Sequence, residues 1–230
     1  MRDGKLVVTD HKENFDRARI VQAMVGRDMS QTLYGRRKTA MRPAGKRVLS
    51  IENLRMAAMV KNNSLSVFAG QITGVFGLVG SGRTETFKVA AGVIKRDIMY
   101  GGEVLLHDKP VRYLVPAPAV RDGIVYVTED RKVEGFFETK SIADNIYLGL
   151  LAKLRGQRKL VSKREATEVG ERLIKRLSIR AIGKDVKAIE LSGGNQQKLV
   201  IAKSLVQEPD VVIFDEPTRG VDVKIGRAHV

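Results

Sequence analysis

Three stretches of this chain carry residue types that could do chemistry together. The first is Gly77-Leu78-Val79-Gly80-Ser81-Gly82-Arg83-Thr84, followed by Glu85. It comes after an apolar run, Ile72–Phe76, that reads as a strand, and it opens a helical pattern over Arg83–Ala91. Glycines at such a turn let the backbone wrap closely around an anion, and N–H groups of the turn and of the helix start point at it. Strand, glycine turn and helix form the context that a phosphate-binding P-loop requires, with Thr84 where the loop hydroxyl ligates Mg²⁺. The usual lysine is replaced by Arg83, which keeps the charge but presents a planar fork instead of a compact ammonium. Glu85 puts a carboxylate in the first turn, where a bare helix end welcomes it and a bound phosphate is repelled by it. The plainer alternative is a glycine-rich turn that holds no ligand.

The second stretch is Val211-Val212-Ile213-Phe214-Asp215-Glu216-Pro217. Four apolar residues ending in two acids describe a buried strand that delivers carboxylates at its C-terminal edge, where open α/β sheets bind ligands. Asp215 could hold Mg²⁺, directly or through water, and Glu216 could polarise an attacking water. A strand running into a solvated turn is the alternative. The third stretch is Leu191-Ser192-Gly193-Gly194-Asn195. Ser192 can cap a helix beginning near Asn195, and the glycines expose N–H groups for a second anion. An ordinary capped helix explains these residues equally well.

Positioning such groups takes an α/β framework. Strand-like runs fall at Val48–Leu54, Ser64–Phe68, Glu103–Leu106, Ile124–Thr128 and Val211–Phe214, and helical periodicity at Ser141–Leu154, Lys163–Leu177 and Asn195–Val206. Near-continuous apolar runs at Ile72–Phe76, Ile124–Val127 and Val211–Phe214 suit parallel strands covered on both faces. Before them, Met1–Gly26 carries a strand-like Lys5–Thr9 and a short helical stretch over Asp16–Val25, too little for a domain. Residues 27–47 form a basic, glycine- and proline-broken connector with Arg36, Arg37, Lys38, Arg42, Lys46 and Arg47.

Composition agrees with a folded chain. Of 230 residues, 43% are hydrophobic and 29% charged, which argues against disorder. The absence of Cys excludes a disulfide scaffold. Apolar runs are too short to span a bilayer. The net charge of +15 could attract nucleic acid. With only Tyr34 as an aromatic near the basic connector, base stacking is poorly served and no nucleic-acid partner is expected.

Leu-Ser-Gly-Gly ahead of a helix, then the acid-tipped strand and Asp215-Glu216-Pro217-Thr218, strongly resembles the ATP-binding subunits of ABC transporters. Finer features resemble the second half of the duplicated ATPases of bacterial simple-sugar importers of the ribose/galactose/xylose type. These are Gly77-Leu78 through Thr84-Glu85, Glu129-Asp130-Arg131-Lys132, the Asn195 variant, and Pro217 through Asp222. The resemblance covers Val48 to about Val223, and Met1–Gly26 resembles the end of a first half.

The resemblance implies a P-loop NTPase core, with an antiparallel β layer near Val48–Phe68 and Glu103–Val111. It also implies a helical subdomain over about Thr139–Glu190, and an ATPase domain over 48–224. It implies ATP and Mg²⁺ as cofactors, and as partners a first ATPase half, membrane permease subunits and, indirectly, a sugar-binding protein, at the cytoplasmic face of the membrane. Ser192, Gly193 and Gly194 would serve a nucleotide on the partner half's P-loop. Glu129 stands where such ATPases usually carry a glutamine, and Arg55, Met56 and Met59 where an adenine-stacking aromatic is expected. The Arg83 site would therefore bind nucleotide and hydrolyse it slowly or not at all. A strand beyond Asp222 would complete the sheet, so an apolar edge is expected to be bare. Residues 225–230 depart from the family pattern and read as a non-native tail.

Overall fold

The computed structural model describes residues 6–17, 19–20, 23, 45–99, 101–154, 162–181 and 185–217. Most of the basic connector and the tail at 225–230 lie outside these residues. The chain divides into two units, Met1–Pro43 and Ala44–Val230. In the first, Asp10 organises a short 3₁₀ turn, Lys12–Asn14. Its carboxylate accepts from the Asn14 amide at 2.7 Å, the His11 N–H at 2.9 Å and the Arg19 guanidinium at 2.8 Å. Those bonds hold its pKa below the usual carboxylate range, the Asn14 bond most. Residues 6–9 form no strand, whereas 17, 19, 20 and 23 are helical.

The second unit opens on an antiparallel sheet in the order β2-β1-β3-β4, made of β1 (Arg47–Met56), β2 (Val60–Phe68), β3 (Glu103–Leu106) and β4 (Lys109–Val111). Strand β1 pairs Leu49 with Leu106 and Ile51 with Leu65, and Val48 through Ile51 are all buried. His107 and Asp108 turn β3 into β4 with φ of 50° and 62°, the conformation of a two-residue type I′ hairpin. A second, parallel sheet joins β5 (Ile124–Val127) to β6 (Val211–Phe214), in register from Ile124↔Val211 to Val127↔Phe214. This parallel pair and the antiparallel layer match the sequence expectation.

Among the described residues of this unit, five α-helices accompany the sheets: α1 (Arg83–Ala90), α2 (Pro116–Arg121), α3 (Ile142–Lys153), α4 (Lys163–Arg176) and α5 (Gly193–Leu205). The N-caps of α3 and α4 are serines: Ser141 Oγ accepts from the Asp144 N–H at 3.0 Å, and Ser162 Oγ from the Glu165 N–H at 3.3 Å. One apolar cluster joins the antiparallel sheet to β5 and β6 through Leu49, Ile51, Leu54, Ile124 and Ile213. A second lies among α3, α4 and α5 around Ile142, Ile146, Leu173, Leu199 and Val206. Each fully buried leucine or isoleucine contributes about 1.5–3 kcal/mol. Helices α3 and α5 approach closely at Gly149, where a Cβ would strike the Lys203 carbonyl.

The apolar run before the glycine turn departs from expectation. Ile72–Phe76 is not a strand among the described residues, and Ile72 and Phe76 are 92% and 95% exposed. A strand exists through its neighbours, and the described residues pair no strand with this run and leave Ile72 and Phe76 uncovered. It leads into the glycine turn without regular secondary structure.

Candidate functional site

The glycine turn is shaped by its residues and by the hairpin beside it. Gly80 and Gly82 adopt φ of 82° and 76°, a region that costs other residues about 1–2 kcal/mol. At Gly82, the N-cap of α1, a Cβ would collide with the Met59 carbonyl, so the β1–β2 turn lies directly against the loop. Thr86, buried in the first turn of α1, donates from Oγ1 to the Gly82 carbonyl at 2.6 Å. It accepts from the Asn63 amide of β2 at 2.8 Å. Glycine geometry, helix start and sheet are thus one hydrogen-bonded assembly.

The acid-tipped strand ends at this turn. Thr84 Oγ1 donates to Asp215 Oδ1 at 3.3 Å, although 131 positions separate the two residues. The other carboxylate oxygen, Oδ2, accepts from the Tyr126 hydroxyl at 2.5 Å. Tyr126 belongs to β5 and stands opposite Ile213. Burial, then the bond to Asp215, then the nearby charges of Asp215, Glu134 and Glu85 push the Tyr126 phenol well above its usual range. It therefore stays protonated and remains a donor. Glu216 follows with φ of 44°, in the left-handed region that non-glycine residues occupy uncommonly. Its carboxylate lies 3.9 Å from the Arg83 guanidinium across the turn. Glu85 sits in the first turn of α1, and Glu129 follows β5 by two residues.

Thr84 and Asp215 together present a hydroxyl and a carboxylate oxygen, a hard-donor pair suited to Mg²⁺. Among the described residues no group of three or more His, Cys, Asp or Glu could hold a metal ion by itself.

Ser192 and Asn195 are engaged elsewhere. Asn195 donates to Ser192 Oγ at 3.0 Å and accepts from the Arg180 N–H at 3.0 Å. Contrary to the sequence expectation, Ser192 does not cap its helix through its side chain, and α5 begins at Gly193 instead of near Asn195. The hydroxyl has another partner in the Asn195 amide. Gly193 and Gly194 form the first turn of this helix.

Three contributors escaped the sequence reading: Tyr126, Asn63 and Thr86. Tyr126 left a trace, being the one polar-tipped residue in the aliphatic run Ile124–Val127. Asn63 and Thr86 left none, because their meeting depends on a 23-residue loop closure.

The ABC transporter family profile matches residues 60–219 of this chain. The chain belongs to the ABC transporter family. Among its relatives, the Bacillus subtilis ribose import ATP-binding protein RbsA is 40% identical over 223 residues, spanning 97% of this chain and 44% of that protein. A putative ribose/galactose/methyl galactoside import ATP-binding protein of Rhizobium etli is 38% identical, spanning 97% and 41%. An arabinose import ATP-binding protein, AraG 2, of Burkholderia cenocepacia is 38% identical, spanning 96% and 42%. The ABC transporter chain thus covers about two fifths of the length of these relatives. Among solved structures, the ATP-binding cassette MJ1267 of an ABC transporter superposes with a TM-score of 0.63 at 25% identity, covering 79% of this chain and 73% of that one. The fold is that of ABC ATPase cassettes, a P-loop NTPase architecture.

Proposed function

We propose that this chain is the nucleotide-binding part of an importer ATPase that couples ATP binding and hydrolysis to uptake of a monosaccharide. The observation that carries the reading is the 3.3 Å approach of Thr84 to Asp215, which puts a P-loop hydroxyl and a strand-end carboxylate at one point. The sugar-import relatives support the direction of transport and the substrate class. The N–H groups of the Gly77–Gly82 turn, with Ser81, would cradle phosphates, and Arg83 would add a cation. Thr84 and Asp215 would hold Mg²⁺, which when bound neutralises phosphate charge. Glu216 is assigned the water-polarising role. Glu129, at the end of the strand that carries Tyr126, faces the same nucleotide in this reading. Ser192, Gly193, Gly194 and Asn195 form the segment that serves a nucleotide held by a first ATPase half. Permease subunits and a sugar-binding protein complete the assembly, with this part peripheral at the cytoplasmic membrane face. No described helix is long and apolar enough to cross a membrane.

A second reading, a non-hydrolysing regulatory half, is favoured by one feature. The arginine that replaces the usual lysine faces the proposed water-polarising carboxylate, Arg83 to Glu216 at 3.9 Å. A cation there competes for the carboxylate that should face water. Arg83→Ala in the full-length protein distinguishes the two halves' contributions. Turnover within about tenfold of wild type (1.4 kcal/mol in barrier) is expected if the partner half's site carries hydrolysis. Near-total loss would make the Arg83 site the working one.

Tyr126→Phe tests the metal assignment. Losing one donor to Asp215 is expected to weaken Mg-ATP binding about three- to tenfold, in line with the net worth of one ordinary hydrogen bond. Metal-free ATP binding should be unchanged. Equal losses with and without Mg²⁺, measured by titration calorimetry, would take Asp215 away from the metal.

A further inference from the structure

Lys203 lies in the last turn of α5 and carries its charge into an apolar setting. It shares a helix face with Leu199, Val200 and Val206, all buried. Burial pushes the Lys203 ammonium below the usual lysine range. An apolar side chain would pack α5 without burying a charge. The ammonium reaches across to the chain that follows β5. Its Nζ donates to the Gly135 carbonyl at 2.9 Å and stands 5.3 Å from the centre of the Phe137 ring. Val200 tightens the same contact, since a Cβ added to Gly135 would lie 2.8 Å from its Cγ2.

Gly135 ends a single π-helical turn, Arg131–Gly135, which is a rare element. This turn is bonded back to the end of β5. Asp130 Oδ1 accepts from the Val133 N–H at 3.2 Å, and the Asp130 carbonyl accepts from the Glu134 N–H at 3.0 Å. Thr128 Oγ1 donates to the Glu134 carboxylate at 2.7 Å and accepts from the Asp130 N–H at 3.2 Å. Glu129 is the residue between Thr128 and Asp130. The two residues that flank it are therefore both bonded to the π-helical turn, and Lys203 holds the last residue of that turn.

We propose that Lys203 is a positioning residue for Glu129. It pins the far end of the π-helical turn to α5, which keeps Glu134 on Thr128 and fixes the backbone that presents Glu129. This rests on the reading that Glu129 faces the nucleotide held at the Gly77–Gly82 turn. A carboxylate there repels phosphate and attracts a divalent cation. Its placement is therefore read in the part of ATP affinity that Mg²⁺ adds.

The test uses the full-length protein with the other half's P-loop disabled, so that binding reports this site alone. Calorimetry gives the Kd for ATP with and without Mg²⁺, and their ratio is the metal-dependent gain. Glu129→Ala is expected to lower the gain about tenfold, the scale of a lost metal-orienting group, with metal-free binding unchanged or tighter. Lys203→Met keeps a long apolar stem and loses the donor, and it is expected to lower the gain about three- to tenfold. Its Tm is expected to fall as well, but the gain compares one folded protein with itself. The double variant should lie within about twofold of Glu129→Ala, because both changes take the same carboxylate out of place. Thr128→Val breaks the bond to Glu134 and should match Lys203→Met, whereas Lys203→Arg keeps a cationic donor and should restore most of the gain. Equal losses with and without Mg²⁺ in Lys203→Met, or costs that multiply in the double variant, would make Lys203 a packing residue and overturn the proposal. Should Lys203→Met fail to fold, an unchanged gain in Thr128→Val overturns it instead. An unchanged gain in Glu129→Ala would overturn the reading of Glu129 itself, and the proposal with it.

Discussion

Gly82→Ala is expected to raise the Kd for Mg-ATP at the glycine turn by more than about 100-fold. Two costs act at once. The new Cβ meets the Met59 carbonyl and Val60, and φ of 76° puts an L side chain in the left-handed region, about 1–2 kcal/mol of strain by itself. Relief requires the turn to move away from the β1–β2 hairpin, which takes the N–H groups of α1 off their aim. About 2.7 kcal/mol is enough for a hundredfold change. Gly80→Ala is the internal comparison. Its φ of 82° imposes the same strain, but nothing lies within 4 Å of the added Cβ. Its loss should stay within about tenfold. Fluorescence titration with a labelled ATP measures both, and equal affinities for wild type and Gly82→Ala would remove this turn as the phosphate cradle.

The second large effect concerns stability. Asn145, fully buried in α3, holds the chain that enters the helix. Its Oδ1 accepts from the Phe137 N–H at 2.7 Å. Its Nδ2 donates to the carbonyls of Phe137 and Ser141 at 3.0 Å each and of Lys140 at 3.4 Å. Asn145→Ala would leave the Phe137 N–H without its acceptor, at about 1–3 kcal/mol, and empty a fully buried side-chain site, whereas the Phe137, Lys140 and Ser141 carbonyls keep the N–H groups of Lys140, Ala188 and Asn145. The expected loss is roughly 3–5 kcal/mol, or about 10 °C in Tm. Urea unfolding of wild type and variant decides the matter. A loss under about 1 kcal/mol would mean that water replaces the amide.

The sequence was most informative where a pattern is local. The β3 run Glu103–Leu106 and the β6 run Val211–Phe214 end where the apolar residues end. Helices α3 and α4 start at the serines that cap them. It was least informative where a structure depends on a partner. Ile72–Phe76 has strand composition, but a ladder needs a neighbour, and composition cannot supply one. Serine before a helix reads as a cap, yet Asn195 outcompetes the backbone for Ser192. The site divides in the same way. Thr84 and Asp215 were legible because each sits in its own short motif. Tyr126 was not, because a tyrosine in a buried strand gives no sign of the carboxylate its hydroxyl will meet.

The bond from Asn63 through Thr86 to Gly82 has a mechanical consequence. Thr86 has a single hydroxyl proton, and the Gly82 carbonyl takes it, so Asn63 can only be the giver and the order of the chain cannot invert. The glycine turn is thus fastened to β2 through two directed hydrogen bonds that end on the N-cap of α1. With the close approach of Gly82 to the Met59 carbonyl, the turn has two attachments to the antiparallel layer, and a shift of the turn has to give up one of them.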